Sequence, residues 1–204
     1  WDGSEKYQWG GLPVLMLGYP VSGFEIDPNV RRNDVLFYTN NRTYYPQAPK
    51  GMTHSMMAIG WLDIGREKEG FNYFVESQED LNRPFLLPSE LQDGGCSGFI
   101  TGCGGFLQTI LSGYGGIRIK TDRLVLNPKL PPNASQFTFR QFKYWGNVFD
   151  IRYTRDRLTL TMIQRTGAKL LVTDSAGKTQ NSKVSGPCGL RLCDRRQSQQ
   201  RLRQ

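Results

Sequence analysis

The sequence has 204 residues, 38% of them apolar and 12% aromatic, and it carries a net charge of +8. This composition excludes an intrinsically disordered chain and fits a globular protein of one or two domains. The charge does not indicate a nucleic-acid partner, because seven basic side chains and one acidic side chain, Asp194, concentrate the excess in residues 175–204.

The start of the chain shows no targeting segment. Residues 1–11 lack the charged start and apolar block of a signal peptide, and no apolar run approaches the roughly 20 residues that cross a bilayer. We therefore expect a cytoplasmic protein without a membrane partner. The absence of an initiating Met indicates an incomplete chain, and the polar composition of residues 175–204 predicts a basic disordered tail.

Two helices are predicted in the first third of the chain. Residues 25–40 have Asp27 at a favoured N-cap position and Pro28 at the first helical position, where its missing N–H costs nothing. Residues 52–65 follow, with Thr53 as a possible cap and apolar side chains on nearly every side of the helix. A helix that is apolar all round is buried within a larger structure.

Residues 66–81 and 98–114 predict two more helices. The first has one apolar stripe and a charged face, which indicates a surface helix packed on a core; the stripe consists of Phe71, Phe74, Val75 and Leu81. The second is of the buried type and contains five glycines, of which Gly102 and Gly105 lie three apart and share a face. Glycine lets another backbone or a ligand come close, and tight helix packing is the favoured interpretation from the pattern alone. Buried helices alternating with amphipathic ones indicate two concentric helical layers.

A polar segment, PSELQDGG at residues 88–95, separates these two helices and contains two carboxylates, Glu90 and Asp93. Its proline, glycines and polar residues predict a loop. From residue types alone, most loop glutamates are simply solvated.

The apolar period changes from 3.6 to 2 after Gly116, which predicts strands. Residues 117–174 contain about six alternating segments, separated by turn signals at Gly146-Asn147, Arg155-Asp156 and Thr166-Gly167. Helices followed by strands indicate an α+β protein or two domains. We divide the chain into helices over 1–116, an antiparallel β module over 117–174 and the tail over 175–204.

Cysteine and histidine patterns do not predict a metal site or any other cofactor. The chain has four cysteines without a CxxC pair and a single histidine, His54. Cys96 and Cys103 are expected to be buried thiols, and Cys188 and Cys193 could form a disulfide in an oxidising compartment.

Four strings in this order carry a resemblance to a known family: VLMLGYP, MTHSMMAIGW, TGCGGFLQTILSGYGGIRI and LVLNPKLPP. Over roughly residues 14–165 the chain resembles the C-terminal part of glycoside hydrolase family 65. The resemblance implies the last helices of an (α/α)6 barrel followed by a C-terminal antiparallel β-sandwich. The N-terminal β-sandwich and most of the barrel would lie upstream of Trp1.

The resemblance also implies roles for individual residues. The family's hydrolases place their general base in a short loop before the glycine-rich helix, which corresponds to Glu90. Gly102, Gly104 and Gly105 would then let the backbone approach the sugar. The general acid would lie upstream of Trp1. Inverting glycosidases need both carboxyl groups, so this chain alone is expected to be inactive.

Two positions depart from the family's pattern. Gly10-Gly11 stand where the family has a Lys-Gln pair that holds the sugar, which indicates an altered pocket or a misjoined start. The phosphorylases of the family carry a phosphate-binding histidine beside the glycine-rich string, where this chain has Phe99 and Ile100. His54 is the only histidine that could take the place of that residue as a substrate ligand. Its apolar helix favours the interpretation that it is a histidine of the core. Hydrolysis is therefore favoured over phosphorolysis.

Two hypotheses of function remain open from the sequence. The first is a fragment of an inverting α-glucosidase that removes glucose from glucosyl-galactosyl-hydroxylysine of collagen-type glycopeptides. The second is a truncated, inactive chain that serves as a structural or carbohydrate-binding module, with a related disaccharide hydrolase or phosphorylase as a further alternative. The partner expected in the first case is a carbohydrate or glycopeptide substrate, without a cofactor.

Overall fold

The computed structural model describes residues 11–21, 25–40, 50–91, 94–120, 123–166, 170–174, 179–180, 184–186 and 190–194. The chain forms two compact units, Trp1–Tyr114 and Gly115–Gln204. Their boundary in the sequence lies within two residues of Gly116, where the apolar period changes from 3.6 to 2. The first unit is mainly helical and the second consists of antiparallel strands. The predicted α+β class is confirmed at this level.

Five helices form most of the part of the first unit that the structure describes. They are α1 (Gly11–Met16), α2 (Pro28–Asn40), α3 (Lys50–Asp63), α4 (Glu67–Glu76) and α5 (Ile100–Gln108), and α5 continues as a π-helical segment, Thr109–Tyr114. Helix α2 begins as predicted, because Asp27 Oδ1 accepts hydrogen bonds from the amides of Asn29 at 2.8 Å and Val30 at 3.2 Å. None of the described helices is long and apolar enough to cross a membrane.

Helix α3 is the centre of this unit and packs against α1, α2, α4 and α5. Nearly all of its residues are buried from Gly51 to Leu62, as its apolar surface predicted. The helix begins at Lys50, so Thr53 lies inside it and the prediction of a Thr53 cap is wrong. The core around α3 consists of Leu15, Val35, Met57, Ala58, Trp61 and Tyr73.

A partly buried ion pair joins the first three helices. Arg31 of α2 donates from Nη1 to the carbonyl of Leu15 at 2.6 Å and from Nη2 to Oδ2 of Asp63 at 3.0 Å. The guanidinium lies so close to Gly18 that a Cβ at that position would be 2.5 Å from Arg31 Cζ. Gly18 therefore leaves the space that the buried guanidinium occupies.

Helices α4 and α5 correct two predictions. Helix α4 ends at Glu76 and buries Gly70 and Tyr73; of the predicted stripe, Phe74 packs against the core as expected, whereas Val75 is exposed. On α5 and its π-helical extension, one predicted apolar row is exposed; it consists of Ile100, Leu107 and Leu111. The physical reason is the face of α5 that carries Gly102 and Gly105. Because these residues have no Cβ, α5 packs closely on α3 through this face, and the row of large side chains points away from α3.

A three-stranded antiparallel sheet stands where a loop was predicted. Its strands are β1 (Leu81–Asn82), β2 (Leu87–Leu91) and β3 (Gly94–Ser97), in the order β1-β2-β3. The strands are short and contain proline and glycine, so no alternating apolar period marks them.

The described residues of the second unit form nine strands in two sheets. Six follow in residues 117–174, as predicted: β4 (Ile117–Ile119), β5 (Arg123–Leu126), β6 (Gln136–Tyr144), β7 (Asn147–Thr154), β8 (Arg157–Arg165) and β9 (Leu170–Asp174). Three more are β10 (Thr179–Gln180), β11 (Val184–Gly186) and β12 (Leu190–Asp194). The sheets have the orders β10-β9-β12-β5-β4 and β11-β8-β7-β6.

One hydrophobic core serves both sheets of this unit. It unites Ile117, Leu124 and Leu126 of the five-stranded sheet with Tyr144, Phe149, Ile151, Tyr153 and Leu158 of the four-stranded sheet. A core shared by the inner faces of two antiparallel sheets is the arrangement of a β-sandwich. The β6–β7 turn, Trp145-Gly146, has both φ angles positive, at 46° and 71°, which suits a two-residue hairpin.

The prediction of a disordered tail over 175–204 is wrong for its three strands. Strand β12 lies between β9 and β5 and pairs with both, with Leu192 opposite Val172 and Leu124. Its backbone therefore links β9 to β5, a strand that comes much earlier in the sequence. The net charge and polar surroundings hid the short alternation Leu190-Arg191-Leu192, which is a strand signal.

Candidate active site

Glu90 lies on strand β2, not in a loop as predicted, and its side chain is partly buried. The strand pairs with β3 so that Ser89 is opposite Ser97 and Leu91 is opposite Gly94. One residue of β2, Glu90, therefore faces two residues of β3, Gly95 and Cys96. This is a β-bulge, a feature that re-aims side chains and is frequent beside active sites.

The bulge makes a direct hydrogen bond to the glutamate. The Cys96 amide donates to Glu90 Oε2 at 3.2 Å. Gly95, the first bulge residue, has φ +76°, which is the glycine-type bulge conformation. Sequence reasoning missed this element, although Asp93-Gly94 between two short segments is a hairpin signal.

Two main-chain hydrogen bonds anchor β2 at the residues just before Glu90. The Ser89 amide donates to the carbonyl of Asp80 at 2.8 Å, and the Phe99 amide donates to the carbonyl of Pro88 at 2.7 Å. Ser89 is buried. Because Phe99 immediately precedes α5, the strand that carries Glu90 is tied to the start of the glycine-rich helix.

Two of the three predicted sugar-binding glycines face helix α3. A Cβ on Gly105 would lie 2.6 Å from Ser55 Oγ and 2.8 Å from the Gly51 carbonyl oxygen, and a Cβ on Gly102 would lie 3.2 Å from Pro88 Cβ. Gly104 differs, because the nearest atom to its added Cβ is Gln108 Nε2 at 3.8 Å. Tight packing accounts for Gly102 and Gly105, whereas a Cβ on Gly104 would make only an ordinary van der Waals contact.

His54 belongs to the packed interior of the helical unit. The residue is buried, its ring meets that of Tyr73 edge to face at 5.4 Å, and its Nδ1 lies 3.7 Å from Glu76 Oε2. These contacts lie on the face of α3 that packs against α4, whereas Gly51 and Ser55 face α5. The structure thus does not bring His54 together with Glu90.

A second ion pair joins the first turn of α3 to the segment that follows α4. Lys50 Nζ lies 2.6 Å from Glu79 Oε2, and this hydrogen bond raises the pKa of Lys50. The next residue, Asp80, is buried and its carbonyl receives the Ser89 amide. The ion pair therefore supports the segment on which strand β2 is anchored.

The cysteines differ from the prediction of buried thiols. Cys96 is exposed and Cys103 is partly exposed, and neither forms a disulfide. Within the described residues, no group of three or more metal-ligating side chains is present. Gly10 and Cys188, on which other expectations rest, lie outside the described residues.

The arrangement defines a carboxylate held at the start of a glycine-rich helix, in a helical unit followed by a β-sandwich. Residues 117–176 match the model of the "Glycosyl hydrolase family 65, C-terminal domain". A protein-glucosylgalactosylhydroxylysine glucosidase from Danio rerio is 33% identical over 174 residues, which are 78% of this chain and 26% of that protein.

Two further comparisons agree. A kojibiose hydrolase from Mucilaginibacter mallensis is 28% identical and is matched over 65% of this chain and 20% of its own length. The solved structure of a candidate kojibiose phosphorylase from the human microbiome has a TM-score of 0.61 at 21% identity, over 85% of this chain and 24% of that one, and shows the same fold. The chain belongs to glycoside hydrolase family 65 and spans about a quarter of the length of the curated relatives it matches.

Proposed function

We propose that the whole protein is an inverting α-glucosidase in which Glu90 is the general base. The observation that carries the proposal is the position of the Glu90 carboxylate, on a bulged hairpin tied to the start of the glycine-rich helix. The family membership of the chain and the glucosidase and hydrolase names of its relatives support it.

The chemistry requires two carboxyl groups on opposite sides of the glycosidic bond. Glu90 removes a proton from a water molecule while the water oxygen forms a bond to the anomeric carbon. The bond from that carbon to the leaving oxygen breaks, and a carboxylic acid outside this chain protonates that oxygen. The two carboxyl groups should lie about 6.5–9.5 Å apart, because the water has to fit between Glu90 and the sugar.

We further propose that α1–α5 are the last helices of an (α/α)6 barrel. The exposed row of Ile100, Leu107 and Leu111 supports this arrangement. Large apolar side chains on one face of a helix indicate a missing neighbour. The remaining barrel helices would cover that row and supply the general acid.

The proposed substrate is an α-linked glucosyl-galactosyl-hydroxylysine of collagen-type glycopeptides. This choice rests on the names of relatives such as the one from Danio rerio. Kojibiose is the second candidate, because two relatives are named as kojibiose hydrolases. Comparing glucose release from the two glycosides separates these substrates, and independence from added phosphate separates hydrolysis from phosphorolysis.

The test is the Glu90→Gln variant in the protein expressed from its complete gene. The amide keeps the shape of the side chain and removes its basicity, so kcat should fall roughly 10²–10⁴-fold with little change in KM. Azide should restore turnover and yield a β-glucosyl azide, because this small anion attacks without a base. Glu67→Gln, on the exposed start of α4, is the matched control.

The outcome that contradicts the proposal is a Glu90→Gln variant with near-normal kcat. The stereochemistry of the product gives an independent check. Inversion requires β-glucose as the first product from the α-linked substrate, and NMR of the fresh reaction mixture distinguishes the two anomers.

A further inference from the structure

The bulge opposite Glu90 does more than shape the hairpin. We propose that Gly95 and the Cys96 amide form a positioning element that fixes the Glu90 carboxylate in one orientation. The amide holds Oε2 at 3.2 Å, and Oε1 then accepts the proton from water. This inference rests on the proposed role of Glu90 as the general base, and Gly95 acts through Glu90 rather than on the substrate.

Gly95 meets two separate demands at this position. Its φ of +76° is a conformation that side chains rarely adopt. In addition, a Cβ there would lie 2.8 Å from Glu90 Cβ and 2.9 Å from Glu90 Oε2. The carboxylate thus lies against the space where a side chain would otherwise be, and any larger residue would displace it.

Two other glycines of the same unit meet only the first demand. Gly98 has φ +69° and Gly65 has φ +77°, and an added Cβ at either would have no atom within 4 Å. Alanine at Gly98 or Gly65 therefore imposes the same kind of backbone strain as alanine at Gly95 without touching Glu90. These two positions are matched controls, and Gly98 lies just after the same hairpin.

Displacement of the general base by a Cβ has a large expected effect on rate. A misplacement of a reacting group by about 1 Å costs on the order of 10²-fold. We expect Gly95→Ala to lower kcat by about that factor with little change in KM. Gly98→Ala and Gly65→Ala should lower the melting temperature to a similar extent and leave kcat close to that of the parent protein.

The decisive measurement is a double-mutant cycle with Glu90→Gln in the protein from the complete gene. If Gly95 acts through the carboxylate, Gly95→Ala should have no further effect on the azide-supported rate of Glu90→Gln beyond that of Gly98→Ala. Gly95→Asn with Gly98→Asn as control is the second pair, because asparagine tolerates positive φ and still adds the Cβ.

Each outcome decides a different point. A kcat for Gly95→Ala or Gly95→Asn that equals that of its Gly98 control overturns the positioning role. A full Gly95 effect that persists in the Glu90→Gln background also overturns it, since the residue then acts through the fold. Near-normal kcat for Glu90→Gln alone contradicts the proposed function itself, so the two failures are distinguishable.

Discussion

Replacing Gly105 by alanine tests whether the glycine face of α5 is a packing surface. The new Cβ would lie 2.6 Å from Ser55 Oγ and 2.8 Å from the Gly51 carbonyl oxygen. The Ser55 hydroxyl can rotate away, at the loss of its 2.8 Å hydrogen bond to that carbonyl. The carbonyl is main chain and cannot, so α5 has to move away from α3.

The expected free-energy change combines two opposing effects. Overpacking a core costs about 1–3 kcal/mol, and replacing a helical glycine by alanine gains about 1 kcal/mol. A clash with main chain favours the upper end, so Gly105→Ala should lower the free energy of unfolding by roughly 1–2 kcal/mol. Gly104→Ala keeps the helix gain without a clash, since its nearest atom is 3.8 Å away.

The assay is thermal and urea unfolding, followed by far-UV circular dichroism. Both variants and the parent are compared as the protein expressed from its complete gene. We expect Gly104→Ala to be the more stable variant by roughly 2–3 kcal/mol, the sum of the opposing shifts. Equal stability of the two variants, or a more stable Gly105→Ala, would refute the close packing of α5 on α3. Activity adds a second readout, because a sugar that approaches Gly104 would make Gly104→Ala lose kcat while its stability rises.

Three further predictions concern the start of helix α2, the buried phenol of Tyr114 and the isolated chain. Asp27→Ala removes the acceptor for two amides at the start of α2 and should cost about 0.5–2 kcal/mol of stability, whereas Asp27→Ser should retain most of it in the same unfolding assay. Burial raises the pKa of Tyr114 to about 12 from its ordinary value of 10.0. The neutral phenol is therefore favoured in the folded protein, and its contribution to stability is present below pH 10 and declines as pH rises toward 12. Tyr114→Phe should flatten that part of the stability profile, and an unchanged decline would assign it to other groups. The isolated 204-residue chain should release no glucose from either proposed glycoside, because one carboxylate cannot both activate water and protonate the leaving group. It should also aggregate, because apolar side chains such as Ile100, which is 81% exposed, lack a neighbour. Saturable glucose release from this chain would contradict the first expectation.

Elements with a strong local signal were predictable from the sequence. The cap at Asp27 fixed the start of α2, the all-round apolar surface of α3 predicted its burial, and the change to a period of 2 located the strands after Gly116. Each of these signals is contained in a few neighbouring residues. Propensity and periodicity are sufficient for such elements because no distant partner decides them.

Other features depended on partners far away in the sequence. The two apolar rows of the glycine-rich helix looked equally suited to burial, and only the approach of α3 to Gly105 decides which face is inside. Strand β2 has no apolar alternation in its sequence. Its pairing with β3 and the hydrogen bond from the Ser89 amide to the Asp80 carbonyl hold it in place instead. Glu90 could be selected as a candidate from the sequence, whereas the bulge that faces it is visible only in the pairing register of β2 and β3.

Strand β12 has a consequence for how the second unit forms. Residues 190–194 lie between β9 and β5 in the five-stranded sheet, although the family match ends at residue 176. During synthesis, β5 and β9 are both made before the strand that lies between them, so each has an open edge until Asp194 has been added. Such edges are templates for pairing with other chains. A chain cut at 176 would keep both edges open permanently, and the natural boundary of the folded module lies at least as far as residue 194.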